Sequence, residues 1–181
     1  EMKKVNKVGP RLLHGVPRPE LLPANRLIDM VQQGHFVVDT RPIEAFAAGH
    51  VAGTINIPVQ LLAGWAGWLL DYDRPFYLVI DPAACGDAMH ALTYIGLDNV
   101  AGIFEPAAID LLAQQGQALQ TYDMAAPAEL ADRIEEDDVL LVDVRGNSEW
   151  QQQHIPGARH LMLGYLAEEA SAIINGKPIV V

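Results

Sequence analysis

The sequence predicts an α/β fold, a parallel sheet flanked by helices, laid out as one complete module followed by a truncated second copy. Three observations predict it. Apolar runs of strand length alternate with helix-length stretches, the pattern of strand–helix–strand units that pair in parallel. Residues 33–41 (QGHFVVDTR) resemble residues 137–145 (DDVLLVDVR), at an offset of 104 that also lays Pro23 on Pro127, Phe46 on Trp150, His50 on His154 and Gly53 on Gly157. Self-similarity at so many fixed positions marks a duplicated module. The second occurrence runs only to Ile179-Val180-Val181, an apolar strand.

Each module opens in the same order. A helix follows Pro23 (ANRLIDMVQQ) and another follows Pro127 (AELADRIEED). Proline suits a first helical turn, where its missing N–H would have no partner anyway. Next comes an apolar run, HFVVD or VLLVD, with the β-branched content and length of a buried strand. It ends in Asp-x-Arg, and a short polar helix leads to His-x-x-Gly and a second strand, TINIP or ARHLM. Only the first module continues. Residues 61–70 read as an apolar helix, 76–80 as a central strand, 81–86 as a loop, 87–95 as a helix, 99–104 as a strand and 106–115 as a closing helix. The expected layout is a leader or linker over 1–22, the first module over 23–116, a linker over 117–126 and the N-terminal half of the second module over 127–181. Measured on the first module, Val181 falls near Val79. A chain that stops inside a central strand exposes an aggregation-prone edge, so a fragment of a longer protein is expected.

Composition bounds the function. Half of the 181 residues are apolar and 19% are charged, enough to bury a core and too little charge for wholesale disorder. The longest uncharged apolar stretch, 59–70, ends at Asp71 and is short of the ~20 residues a membrane span needs. The first fifteen residues carry charge with no apolar run behind it, unlike a signal peptide. Twelve basic against 23 acidic residues give a net charge of −11, which argues against nucleic acid and anionic membrane as partners. The single cysteine, Cys85, excludes an intrachain disulfide and fits a reducing compartment. The expectation is an acidic, cytoplasmic protein.

Asp39-Thr40-Arg41, then Phe46, then residues 49–58 (GHVAGTINIP) resemble the signature of rhodanese-like domains, and Asp143-Val144-Arg145, Glu149-Trp150 and residues 154–158 (HIPGA) resemble it more closely. The resemblance covers nearly the whole chain from about Pro23 and implies a five-stranded parallel sheet flanked by helices. The leader, residues 3–10, and the segment 65–70 (WAGWLL) further resemble the C-terminal part of fusion proteins that join a metallo-β-lactamase fold to tandem rhodanese domains, such as persulfide dioxygenases. An upstream metal-binding domain of the same protein is then an expected partner, and a small sulfur-containing anion an expected ligand of the second module.

Rhodanese-like sulfurtransferases resemble one another in a loop Cys-x-x-Gly-x-Arg-Ser/Thr that runs into a helix. A ring of backbone N–H groups at that helix N-terminus lowers the thiol pKa and stabilises anionic sulfur. By this resemblance Asp81 takes the nucleophile position of the first module, Gly86 the arginine position and Asp87 the Ser/Thr position. A carboxylate replaces the thiol, Pro82 removes one N–H from the cradle, and two carboxylates repel an anionic substrate. Asp81 is expected to occupy the cradle as a built-in anion, leaving the first module non-catalytic. Cys85 is either a displaced persulfide carrier beside a helix N-terminus or a small thiol against the core, its pKa raised between Asp81 and Asp87. The second reading is preferred, because reactive cysteines need an electropositive setting. In the second module the nucleophile position falls a few residues past Val181.

The remaining motif residues read as structural. Asp39 with Arg41, and Asp143 with Arg145, suit a hydrogen-bonded pair that fixes a loop. His50 and His154 precede the turn glycines Gly53 and Gly157 in both modules, although one module has lost its active loop, and that favours a structural hydrogen bond over acid–base work. His14, His35, His90 and His160 show no metal-ligand spacing, so no metal and no cofactor is expected. The stretch 59–70, with Trp65 and Trp68, reads as a buried helix rather than a partner surface. Two functions remain open: part of a sulfur-metabolism enzyme with a scaffold first module and transfer chemistry in the second, or a non-catalytic module that binds a partner or an anion. Phosphatase-like chemistry on the same fold is a remoter reading, disfavoured by the short spacing between positions 81 and 87.

Overall fold

The computed structural model describes residues 15–174 and 176–181. The leader of residues 3–10 and His14 lie outside the described residues. The chain divides into two compact units, Glu1–Asp123 and Met124–Val181.

The first unit is built from α1 (Asn25–Gln32), β1 (Phe36–Asp39), α2 (Ile43–Ala48), β2 (Ile55–Asn56), a 3-10 turn (Val59–Leu61) running into α3 (Leu62–Leu69), β3 (Phe76–Val79), α4 (Pro82–Tyr94), β4 (Val100–Phe104) and α5 (Ala107–Gln114). Its strands are all parallel, in the order β2-β1-β3-β4. The register sets Val38 beside Ile55 and Leu78, and Asp39 beside Asn56 and Val79. Successive residues of a strand point to opposite faces, and each face has its own core. Val38, Leu78 and Ile80 pack with Leu62 and Ala66 of α3 and Met89 and Leu92 of α4. Val37, Val79 and Phe104 pack on the other face with Leu27 and Met30 of α1 and Ile109 and Leu112 of α5. A parallel sheet covered on both faces explains why its strands read as unbroken apolar runs.

The described sheet of this unit has four strands where five are expected. Beyond β4 the only pairing among the described residues is a single parallel bridge, Leu21 to Ile103, with Leu22 N–H donating to the Ile103 carbonyl and Ile103 N–H to the Glu20 carbonyl, both at 2.8 Å. Residues 20–22, expected in a leader, therefore belong to the sheet edge. Gly102 makes room for this: a Cβ there would stand 2.6 Å from Leu22 Cδ1. The segment 59–70 is half core and half surface, since Leu62 and Ala66 are fully buried while Trp68 is 56% exposed.

The loop expected over residues 81–86 is helix from Pro82 onward. Asp81 is the N-cap and Pro82 sits in the first turn, so the strand passes into α4 with no loop between.

The second unit contains α6 (Pro127–Glu135), β5 (Leu140–Asp143), α7 (Asn147–Gln152), β6 (Arg159–His160), a 3-10 turn (Leu163–Tyr165) running into α8 (Leu166–Glu169), a second 3-10 turn (Ala170–Ala172) and β7 (Ile179–Val180). Its parallel sheet has the order β6-β5-β7. Leu140, Val142 and Leu161 form its buried cluster, with Leu166 and Ile173 half-buried against them. Val180 pairs with Leu141 as Tyr77 pairs with Val37, so Val181 takes the place of Leu78 rather than Val79.

The offset between the units is not gap-free. Gly34 N–H donates to the Val31 carbonyl and His35 N–H to Met30, whereas Asp137 N–H donates to Ile134 and Asp138 N–H to Arg133, which is an offset of 103. From the strands onward the offset is 104: Ile57 N–H donates to Asp39 and Leu161 N–H to Asp143. One extra residue therefore lies between the left-handed position (Gly34 at φ 75°, Asp137 at φ 57°) and the strand. Aspartate is among the few residues that tolerate this conformation, and here Lys177 holds it, with its ammonium 2.6 Å from Oδ2 and a further hydrogen bond to the Asp137 carbonyl.

Candidate functional site

The ends of β1 and β5 carry the same construction. Arg41 donates from its backbone N–H and Nε to Asp39 Oδ1 at 3.0 Å, from Nη2 to Oδ2 at 2.7 Å and from Nη2 to the Gly49 carbonyl at 2.8 Å. Arg145 donates to Asp143 at 3.0, 3.0 and 2.6 Å and to the Gln153 carbonyl at 2.8 Å. The planar guanidinium fits a carboxylate bidentately, so each fork ties a strand end to the turn after the following short helix. Burial differs. The Asp39 side chain is fully buried, while Arg145 is 46% exposed. The Arg145 hydrogen bonds hold the Asp143 carboxyl below its usual range, and Asp143 in turn raises Arg145.

His50 Nδ1 lies 2.9 Å from the Phe46 carbonyl and His154 Nδ1 lies 2.9 Å from the Trp150 carbonyl. A carbonyl only accepts, so Nδ1 carries the proton in both. Each imidazole also stacks on the aromatic ring one helical turn back, at 3.9 Å on Phe46 and 3.6 Å on Trp150. A second imidazole, His160, stacks near-parallel on Trp150 at 4.8 Å and donates from Nε2 to the Arg145 carbonyl. Asn56 does the same work in the first unit, donating Nδ2–H to the Arg41 carbonyl at 3.0 Å. Gly53 and Gly157 both sit at φ 85°, where the chain turns into β2 or β6. The roles of Asn56 and His160 went unread in the sequence, although the 104 offset superimposes them. So did Thr40, whose Oγ1–H donates to the Val79 carbonyl and ties β1 to β3 just before the Asp81 junction.

At that junction Asp81 Oδ1 accepts from Ala83 N–H at 2.8 Å. This is an N-cap, one carboxylate oxygen on one amide. Asp81, Pro82, Gly86 and Asp87 are exposed, and Cys85 is half-buried in the first turns of α4 against the core. Burial pushes the Cys85 thiol up from its usual 9.0. Gly86 is helical, with no protein atom within 4 Å of where a Cβ would stand. Among the described residues no basic side chain bonds to Asp81 or Asp87, and no group of three or more His, Cys, Asp or Glu side chains could hold a metal ion. No described helix is long and apolar enough to cross a membrane.

Residues 126–181 match the family model described as the rhodanese-like domain. Over 159 residues the chain is 27% identical to the HTH-type transcriptional regulator Rv0324 of Mycobacterium tuberculosis, an alignment covering 86% of this chain and 65% of the relative. The chain thus spans about two thirds of the length of that curated relative. Among solved structures it is similar to a metallo-β-lactamase from Staphylococcus aureus subsp. aureus COL, with 32% identity over 58% of this chain and 29% of the other and a TM-score of 0.48. It is also similar to a thiosulfate sulfurtransferase from Pseudomonas aeruginosa, with 18% identity over 89% of this chain and 38% of the other and a TM-score of 0.46.

Proposed function

We propose that the chain is a tandem rhodanese-like region of a cytoplasmic sulfur-metabolism protein, in which the first unit is a non-catalytic scaffold and any sulfur transfer belongs to the second. The observation that carries this reading is the junction at Asp81. A sulfurtransferase loop needs several free N–H groups converging on a thiolate; here the strand enters α4 directly and a carboxylate takes the Ala83 N–H. The only thiol, Cys85, is half-buried with its pKa raised by burial. Both features oppose a persulfide at this site. The matching β1–β3 and β5–β7 registers support this reading, in which the position equivalent to Asp81 falls after Val181. A cysteine thiolate there would attack the outer sulfur of a thiosulfate-like anion, breaking its S–S bond and releasing sulfite with the electron pair. The resemblance to metallo-β-lactamase-fold fusions supplies the proposed partner, an upstream metal-binding domain.

The test is the intact mass of the chain after exposure to thiosulfate or a persulfide donor, with Cys85→Ser beside it. No added sulfur is expected. Gain of one cyanide-removable sulfur atom, lost in the variant, would make Cys85 a relocated carrier and end the scaffold reading.

A further inference from the structure

We draw no further inference here: the strongest candidate, the uncharged outer face of α3, where Leu61 and Trp68 stand 47% and 56% exposed on either side of Gly64, is an unpartnered apolar face, and nothing in the structure shows what covers it.

Discussion

Arg41 donates three hydrogen bonds from its side chain to Asp39 and a fourth to the Gly49 carbonyl, with the Asp39 carboxylate wholly out of solvent. Breaking one partner of such a buried pair leaves an uncompensated charge. Asp39→Asn should therefore destabilise the first unit by about 3–5 kcal/mol. Asp143→Asn removes the same contacts from an arginine that is 46% exposed and should cost several-fold less, because water replaces the lost acceptor. Urea unfolding of the two variants checks this, and equal losses would contradict it.

The two turn glycines separate backbone strain from crowding. Gly53 and Gly157 share φ 85°, but a Cβ at Gly53 would stand 2.8 Å from Val31 Cγ1, and none at Gly157 meets anything within 4 Å. Gly157→Ala should cost about 1–2 kcal/mol from the left-handed backbone alone. Gly53→Ala should cost more, and Val31→Ala in that background should recover part of the difference, a coupling that a double-mutant cycle measures.

The pH dependence of the second unit has a defined sign. Asp143 is held below its usual 3.8 by Arg145, so its ionised form stabilises the folded state. That contribution is fully present above 3.8 and is lost as the pH falls through the lowered value. Stability followed by circular dichroism should drop below about pH 4 in the native sequence, and Asp143→Asn should flatten that part of the profile.

Burial raises the Cys85 thiol, so iodoacetamide should alkylate it more slowly than glutathione at neutral pH, with the rate still climbing above 9.0. Neutral-pH alkylation faster than glutathione would point to an activated thiolate.

Asp81 caps α4 through Ala83 N–H. Asp81→Ala should lower stability by about 1 kcal/mol, the usual cost of a lost N-cap, and denaturant unfolding reads it directly.

The strands were the most legible elements. Val37-Val38 and Leu140 to Val142 are buried or half-buried on both faces of their sheets, and continuous apolar runs announce that. The resemblance to a sulfurtransferase loop suggests a loop at residues 81–86, whereas Asp81-Pro82 is an N-cap followed by an N1 proline that starts a helix there. The pairing at Leu21 could not be read, since a single bridge leaves no periodicity. The antiparallel bridge of Gln120 to His50 is equally silent: Tyr122 beside it acts through its backbone N–H and one ring near Phe46 and His50, and neither has a spacing signature. The forks were visible as Asp-x-Arg, but their fourth contact, a carbonyl at Gly49 or Gln153, carries no residue identity at all.

The extra residue after Asp137 puts the two helices and the two strands out of phase with each other. Carried over by the strand numbering, Leu27 maps to Ala131; carried over by the helix hydrogen bonds, it maps to Leu130. One position is about 100° of helix rotation, enough to swap a core contact for a solvent one. A chimera that grafts α6 ahead of β1 therefore keeps its apolar stripe inward only if the seam takes the whole connection, from the left-handed residue to the strand, from a single parent.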